Sequence, residues 1–260
     1  MAGRVCFEKE GALGWILFDH PERRNAISTE MWREIPGVVE KLEAEPELRV
    51  VIMRGAGEVA FVSGADISEF EKSRSGVGAQ SYDEDNAHAF AALANLRLPL
   101  IALIHGFCVG GGCAIALSAD LRYAADDAVF AIPAARLGLG YGIGGLQALV
   151  NLVGYSAAKE IFFTARRFSA DEAQRMGLVN AVLPKAELDS FVQKTAESIA
   201  ANAPLTLRAV KLALGELTKS ASLRDHEAVE AAIRACFESG DYREGVRAFL
   251  EKRRPEFKGR

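Results

Sequence analysis

Long apolar runs are missing from this chain of 260 residues. No stretch approaches the roughly 18 apolar residues of a membrane helix, so no membrane-spanning segment is expected. An excess of charge of either sign is missing too. The 31 Lys and Arg against 35 Asp and Glu leave a net charge of −4, too weak a field to point to nucleic acid or an anionic membrane surface. Cysteine is sparse. Cys6, Cys108, Cys113 and Cys236 form no CxxC pair and have no histidines at metal-ligand spacing. No metal site is expected, and reduced thiols in a cytoplasm are. The opening Met-Ala-Gly-Arg-Val-Cys-Phe-Glu lacks an apolar h-region, so no secretory signal is expected. No GK[ST] follows a glycine cluster, which excludes a Walker A phosphate loop. No internal repeat with a period of roughly 20–50 residues is visible.

What is present is ordinary globular composition, 50% hydrophobic and 25% charged, at a length that suits one large core with an appendage. Val5-Cys6-Phe7 and Trp15-Ile16-Leu17-Phe18 read as a hairpin around Glu10-Gly11. Ser28 reads as the N-cap of a helix reaching Leu42, with Pro36 expected to kink or shorten it. Val50-Val51-Ile52-Met53 is an apolar run typical of a strand covered on both faces. Residues 73–80 are rich in Ser and Gly and read as a mobile loop. Residues 84–97 read as an alanine-rich helix ending before Pro99. A strand over 100–105, a helix from Gly111, and short strands at Leu121-Arg-Tyr-Ala and Ala128-Val-Phe-Ala continue the alternation of an α/β fold. From Ser156 onward the chain reads as almost entirely helical. Ser169 to Glu172 fits a capping box, Gly177 closes that helix, and a last strand runs from Leu178 to Leu183. Helices are expected over 186–201, 204–219, 223–238 and 241–252.

One feature carries chemistry. Gly110-Gly111-Gly112 opens an apolar helix directly after a strand, and Phe61-Val62-Ser63-Gly64-Ala65-Asp66-Ile67 is a second segment of small residues of the same kind. Helix starts leave backbone N–H groups without partners and favour an anion. Two such groups converging on one oxygen make an oxyanion hole. Gly110-Gly111-Gly112 could equally serve only to pack helix tightly on sheet. Asp66 reads as a cap for the helix after it rather than as a proton carrier, and His105 as a satisfied core or turn residue. Gly140-Tyr-Gly142-Ile-Gly144-Gly145 formally matches the GxGxxG of a dinucleotide site. Its preceding residues make a poor central strand, and no acid-tipped strand follows at the needed distance.

The ordered set Asn25-Ala26-Ile27-Ser28, Ser63-Gly64-Ala65-Asp66-Ile67, His105-Gly106-x3-Gly110-Gly111-Gly112 and Ala119-Asp120-Leu121 resembles the crotonase superfamily, the enoyl-CoA hydratase/isomerases. So do Phe163-Thr164-Ala165-Arg166-x-Phe168-Ser169-Ala170-x-Glu172-Ala173, Met176-Gly177-Leu178-Val179 and Phe249-Leu250-Glu251-Lys252-Arg253. The match spans nearly the whole chain. The resemblance implies an α/β fold, a crotonase-like spiral of ββα turns over residues 1–200, with a C-terminal helical trimerisation region over 201–260. It implies a homo-trimer or hexamer, an acyl-CoA thioester as substrate, coenzyme A as part of that substrate, and no other cofactor or metal. The oxyanion-hole donors would be the N–H groups of Ala65 and Gly111. Arg24, Ala26, Ser63, Gly64, Asp66, Ile67, Ser68, Gly110, Ala114 and Ala134 would line the substrate surface.

The chain departs from the family where hydratases carry two glutamates. Those positions are Ala114 and Ala134, and a third site used for an aspartate elsewhere in the superfamily is Gly142. Hydration needs groups to activate water and deliver a proton, and alanine does neither. Tyr141 lies where decarboxylases of the superfamily acting on methylmalonyl-CoA place a catalytic tyrosine, or it simply packs on the acyl chain. Arg136 could hold a substrate carboxylate or face solvent, and His88 reads as a helix-surface residue near a dehalogenase histidine position. Arg23, Arg24, Lys252, Arg253 and Arg254 are candidate cations for coenzyme A phosphates. A catalytically silent acyl-CoA binder remains an alternative to a hydratase/isomerase-type or decarboxylase-like enzyme.

Overall fold

The computed structural model describes residues 2–69 and 77–260. Strands β1 (Arg4–Glu10) and β2 (Leu13–Asp19) form the expected hairpin, turning at Gly11 with φ 57°. Helix α1 (Thr29–Ala44) starts at Ser28, whose Oγ accepts from the Met31 N–H at 3.2 Å. Pro36 lies inside α1 without ending it. A helix-interior proline costs about 3 kcal/mol. Here the burial of Met31, Trp32, Ile35, Val38, Val39 and Leu42 along one face outweighs that cost.

After α1 the chain repeats a pattern. Strand β3 (Val50–Gly55) is followed by β4 (Ala60–Val62) and helix α2 (Val77–Asn95). Then come β5 (Leu100–Ile104), β6 (Phe107–Val109) and α3 (Gly111–Leu117), and next β7 (Leu121–Ala125) and β8 (Val129–Ala131). The first strand of each pair joins a six-stranded sheet, order β1-β2-β3-β5-β7-β10 with β10 at Ala181–Leu183, and the second joins a four-stranded sheet, order β4-β6-β8-β9 with β9 at Phe168–Ser169. Each turn of this ββα spiral therefore lays one strand in each layer. Among the described strand pairings, β1–β2 and β8–β9 are antiparallel and the others parallel.

The apolar runs are continuous because both faces of the larger sheet are covered. Side chains alternate with a period of two. Val51, Met53, Leu100, Ala102 and Ile104 join the main core with α1 and α2. Val50, Ile52, Ile101 and Leu103 pack on the other face, under Leu188, Val192 and Ala196 of the helix over Lys185–Ala200.

Two sequence expectations change here. Helix α2 starts at Val77, so 77–80 are helical rather than part of a loop, and 70–76 lie outside the described residues. Burial of Tyr82, Ala89 and Leu93 against the core carries the helix past a composition unfavourable to it. The glycine-rich stretch after β8 is also more structured than expected. A short helix α4 (Ala134–Leu137) precedes it, and α5 (Ile143–Thr164) follows, broken at Gly154 with φ 73° and ψ 170°. With α4 rather than a strand ahead of Gly140, the GxGxxG match has no dinucleotide-binding context.

Strand β9 (Phe168–Ser169), helix α6 (Ala170–Arg175) and strand β10 (Ala181–Leu183) follow. Ser169 and Glu172 form the capping box, and Gly177 takes φ 80°. Strand β10 is shorter than the expected 178–183, because Asn180 turns back: its N–H donates to the Arg122 carbonyl and its Oδ1 accepts from the Arg122 N–H. The C-terminal helices are α7 (Lys185–Ala200), α8 (Pro204–Leu217), α9 (His226–Glu238) and α10 (Gly240–Leu250).

Candidate active site

The site grows from two adjacent strand ends. Strands β4 and β6 pair in parallel, so the segments leaving them, 63–66 and 110–112, emerge side by side. Ala65 forms a parallel bridge with Ile27. Its two bonds are made by neighbours of Ala65: the Ile27 N–H donates to the Gly64 carbonyl at 2.8 Å, and the Asp66 N–H donates to the Ile27 carbonyl at 2.9 Å. The Ala65 N–H is thereby turned to the other side, toward α3. A Cβ built on Gly111 would lie 3.6 Å from the Ala65 nitrogen. Gly111 is the first residue of α3, where the N–H has no intrahelical acceptor. Among the described residues, neither N–H donates to a backbone carbonyl.

Two glycines make this approach possible. Gly110, with φ 53° and ψ −112°, turns β6 into α3 through backbone space that side chains avoid. A Cβ on Gly112 would run into the Val62 carbonyl, so α3 can press against the end of β4 only without one. The Gly110 N–H donates to the Ala131 carbonyl at 2.8 Å, tying this turn to β8 and to the segment carrying Ala134 and Tyr141.

The other expected site residues surround this pair or lie further off. Ala26 is buried beside the Ile27 bridge. Ser63 donates from its N–H to the Arg24 carbonyl and from Oγ to the Arg23 carbonyl, both at 3.1 Å, which joins this loop to the Arg23–Arg24 turn. The Arg24 guanidinium lies 5.0 Å from the centre of the Phe107 ring. Asp66 heads the short helical turn Ile67–Glu69. Its Oδ1 accepts from the Ser68 N–H at 3.0 Å and the Ser68 Oγ at 2.7 Å. Burial pulls the Asp66 carboxyl upward, but the Ser68 bonds and the charges of Arg23 and His20 together hold it below the ordinary carboxylate value. That is the behaviour of a cap, not of a proton donor.

Ala114 sits one turn into α3, its N–H donating to the Gly110 carbonyl at 3.2 Å. Ala134 is buried at the start of α4. Tyr141 is 39% exposed and packs edge-on against Phe162, with ring centres 4.8 Å apart. His88 and Arg136 are exposed. His105 is buried and its Nε2 lies 2.8 Å from Asp189 Oδ1. Among the described residues, no group of three or more His, Cys, Asp or Glu is placed to hold a metal ion, and no helix is long and apolar enough to cross a membrane.

A family model described as enoyl-CoA hydratase/isomerase matches residues 8–260. The chain belongs to that family. The short-chain-enoyl-CoA hydratase of Clostridium acetobutylicum is 38% identical over 258 residues, covering 98% of each chain. The crotonyl-CoA hydratase of Syntrophomonas wolfei is 36% identical over 253 residues, covering 97% of each. A solved structure titled an enoyl-CoA hydratase/carnithine racemase, from Magnetospirillum magneticum, has a TM-score of 0.94 at 34% identity, covering 98% of this chain and 96% of that one.

In this enoyl-CoA hydratase/isomerase family member, sequence reasoning missed several residues around the glycine turn. The edge of Trp32 lies 3.3 Å from the place of a Gly111 Cβ, and its Nε1 donates to the Tyr82 hydroxyl at 3.2 Å. Glu69 accepts from the Thr29 N–H at 2.7 Å and the Thr29 hydroxyl at 2.8 Å, fastening the segment after Ala65 to the start of α1. Arg167 lies 5.8 Å from the centre of the same Phe107 ring that Arg24 meets. All of these contacts join residues remote in sequence, and no local pattern announces them.

Proposed function

We propose that this chain binds an acyl-CoA thioester and stabilises its enolate through the N–H groups of Ala65 and Gly111. The observation that carries the reading is the pair itself: two amides from neighbouring strand ends, neither donating to a backbone carbonyl among the described residues. Negative charge grows on the thioester oxygen as the α-carbon is deprotonated or loses a carboxyl group. A preorganised N–H donor is worth about 3–4 kcal/mol at such an oxygen. The start of α3 adds its dipole. Arg23 and Arg24 flank the same loop and suit the phosphates of coenzyme A. Arg253 suits them less, because Glu244 and Glu251 already hold its guanidinium, each at 2.6 Å. The chemistry in this proposal uses no metal or redox cofactor, coenzyme A being part of the substrate.

With alanine at 114 and 134 and glycine at 142, no carboxylate stands at the positions expected to activate water. The proposal is therefore an enolate-stabilising enzyme that hydrates poorly, with Tyr141 orienting a carboxylate or supplying a proton. Crotonyl-CoA hydration, followed as loss of the 2-enoyl thioester absorbance, is expected to run far below the rate of a two-glutamate hydratase. A rate typical of such a hydratase would overturn this. The empty acid positions also support a second reading, a binder without turnover. Thermal stabilisation by acyl-CoA with no product from any acyl class would select it.

We further propose that residues 201–260 assemble the chain into a homo-trimer or hexamer. The support is an open apolar groove of about 690 Å³ among α8, α9 and α10, lined by Val210, Ile233, Phe237, Val246, Phe249 and Phe257.

A further inference from the structure

Strands β3 and β5 run side by side and parallel. The residues that lead into them, Arg49 and Arg97, therefore lie at the same end of the larger sheet. Helix α8 crosses that end, pinned at two points. A Cβ built on Gly259 would lie 2.9 Å from Pro204 Cγ and 2.8 Å from Arg49 Nη1, so the start of α8 abuts Arg49. Further along, Lys211 Nζ donates to the Leu98 carbonyl at 2.8 Å and to Asp120 at 2.7 Å. Residues 204, 208 and 211 share one helical face, so Arg208 lies on the face of α8 that meets the starts of β3 and β5, within reach of the charges of Arg97 and Arg49.

The local charge is not balanced. Arg97 pairs with Glu43 at 3.2 Å. Arg49 donates to a neutral acceptor, the Lys258 carbonyl, at 3.3 Å. Asp120 is matched by Lys211. Arg208 Nε is buried and has no hydrogen-bond partner among the described residues. Burial, and then the like charges of Arg97 and Arg49, push the Arg208 guanidinium below its ordinary value, and Glu43 is the acid opposing them. Partly buried like charges repel more strongly than exposed ones. Guanidinium forks match the oxygens of phosphate groups.

We propose that Arg49, Arg97 and Arg208 form a binding site for the phosphate or pyrophosphate group of a small anionic ligand. The site stands apart from the Ala65–Gly111 pair. Arg97 precedes β5, whereas Gly111 lies beyond β6, which continues from the far end of β5. The proposal does not depend on which acyl chemistry the chain performs.

Titration calorimetry of the full chain with inorganic pyrophosphate at low salt tests it. With the thioester ligand's own site filled by saturating coenzyme A, one saturable pyrophosphate site per chain is expected, weakened about tenfold or more by Arg208→Gln and by Arg49→Gln, the scale of a lost charge-assisted hydrogen bond. Arg24→Gln is expected to leave that affinity unchanged. In phosphate-free buffer Arg208→Gln is expected to melt no lower than the parent and to lose the stabilisation by pyrophosphate. The proposal falls if no saturable binding occurs, or if Arg208→Gln and Arg49→Gln bind as tightly as the parent. It falls too if coenzyme A displaces pyrophosphate, which would make these arginines part of the thioester ligand's own site.

Discussion

Gly110 holds φ 53° and ψ −112° at the turn from β6 into α3, and a side chain there is strained whatever space surrounds it. Strain of this kind costs about 1–3 kcal/mol. Gly110→Ala is expected to lower stability by that amount in chemical denaturation. It should weaken acyl-CoA binding as well, because the Gly111 N–H is aimed by the same turn. An unchanged denaturation midpoint would show that the turn relaxes freely. The role proposed for Tyr141 is tested at its hydroxyl. Removing its hydroxyl leaves the ring on Phe162, so Tyr141→Phe is expected to lower kcat by about 100-fold, the range for a positioned proton donor, with coenzyme A affinity intact. An unchanged kcat removes the hydroxyl from the mechanism. At this scale the sequence was legible where a residue acts through its own backbone: Gly64, Gly110 and Gly112 stand where conformation or close approach excludes a side chain. Trp32 and Glu69 were not legible, since each matters through a partner far along the chain.

Elements were legible where their ends are written locally. The Ser28 cap, the Ser169–Glu172 capping box and Gly177 all stand as read, because a cap is a contact across three residues. Strands β4 and β6 escaped notice as separate elements, since three residues carry no readable period. The start of α2 was misplaced because packing, not composition, sets it. Helix α10 carries a pH-dependent contact. Hydrogen bonds from Arg253 and then the Glu256 N–H hold the Glu244 carboxyl at about 2, below its ordinary 4.5. The folded state thus binds this proton more weakly than the unfolded chain. Its stabilisation is complete above about pH 4.5 and is lost as pH falls toward 2. Thermal unfolding is expected to drop over that window, and less steeply in Glu244→Gln. Equal slopes in the two proteins would show that the pair does not couple to folding.

The whole molecule is a spiral whose strands alternate between two sheets, and the order of its motifs made that architecture legible. Which strands adjoin, and hence which loops meet, was not legible, because the pairing of β4 with β6 is a long-range choice. The exposed apolar side chains at the C-terminal end belong to this scale. Phe249 and Leu250 are 84% and 75% exposed and line the groove among α8, α9 and α10. The parent is expected to elute as a trimer or hexamer in size-exclusion chromatography with light scattering. Phe249→Asp is expected to shift it toward monomer. A monomeric parent would show that this groove serves something else.

The bridge between Ile27 and Ala65 aims its amide by the route of the main chain alone. Whatever side chain occupies position 65, the same hydrogen points the same way. A scan that changes side chains and keeps the backbone N–H would therefore pass over this group without registering it. Chemical protein synthesis, replacing that one peptide linkage by an ester, is the tool that can reach it.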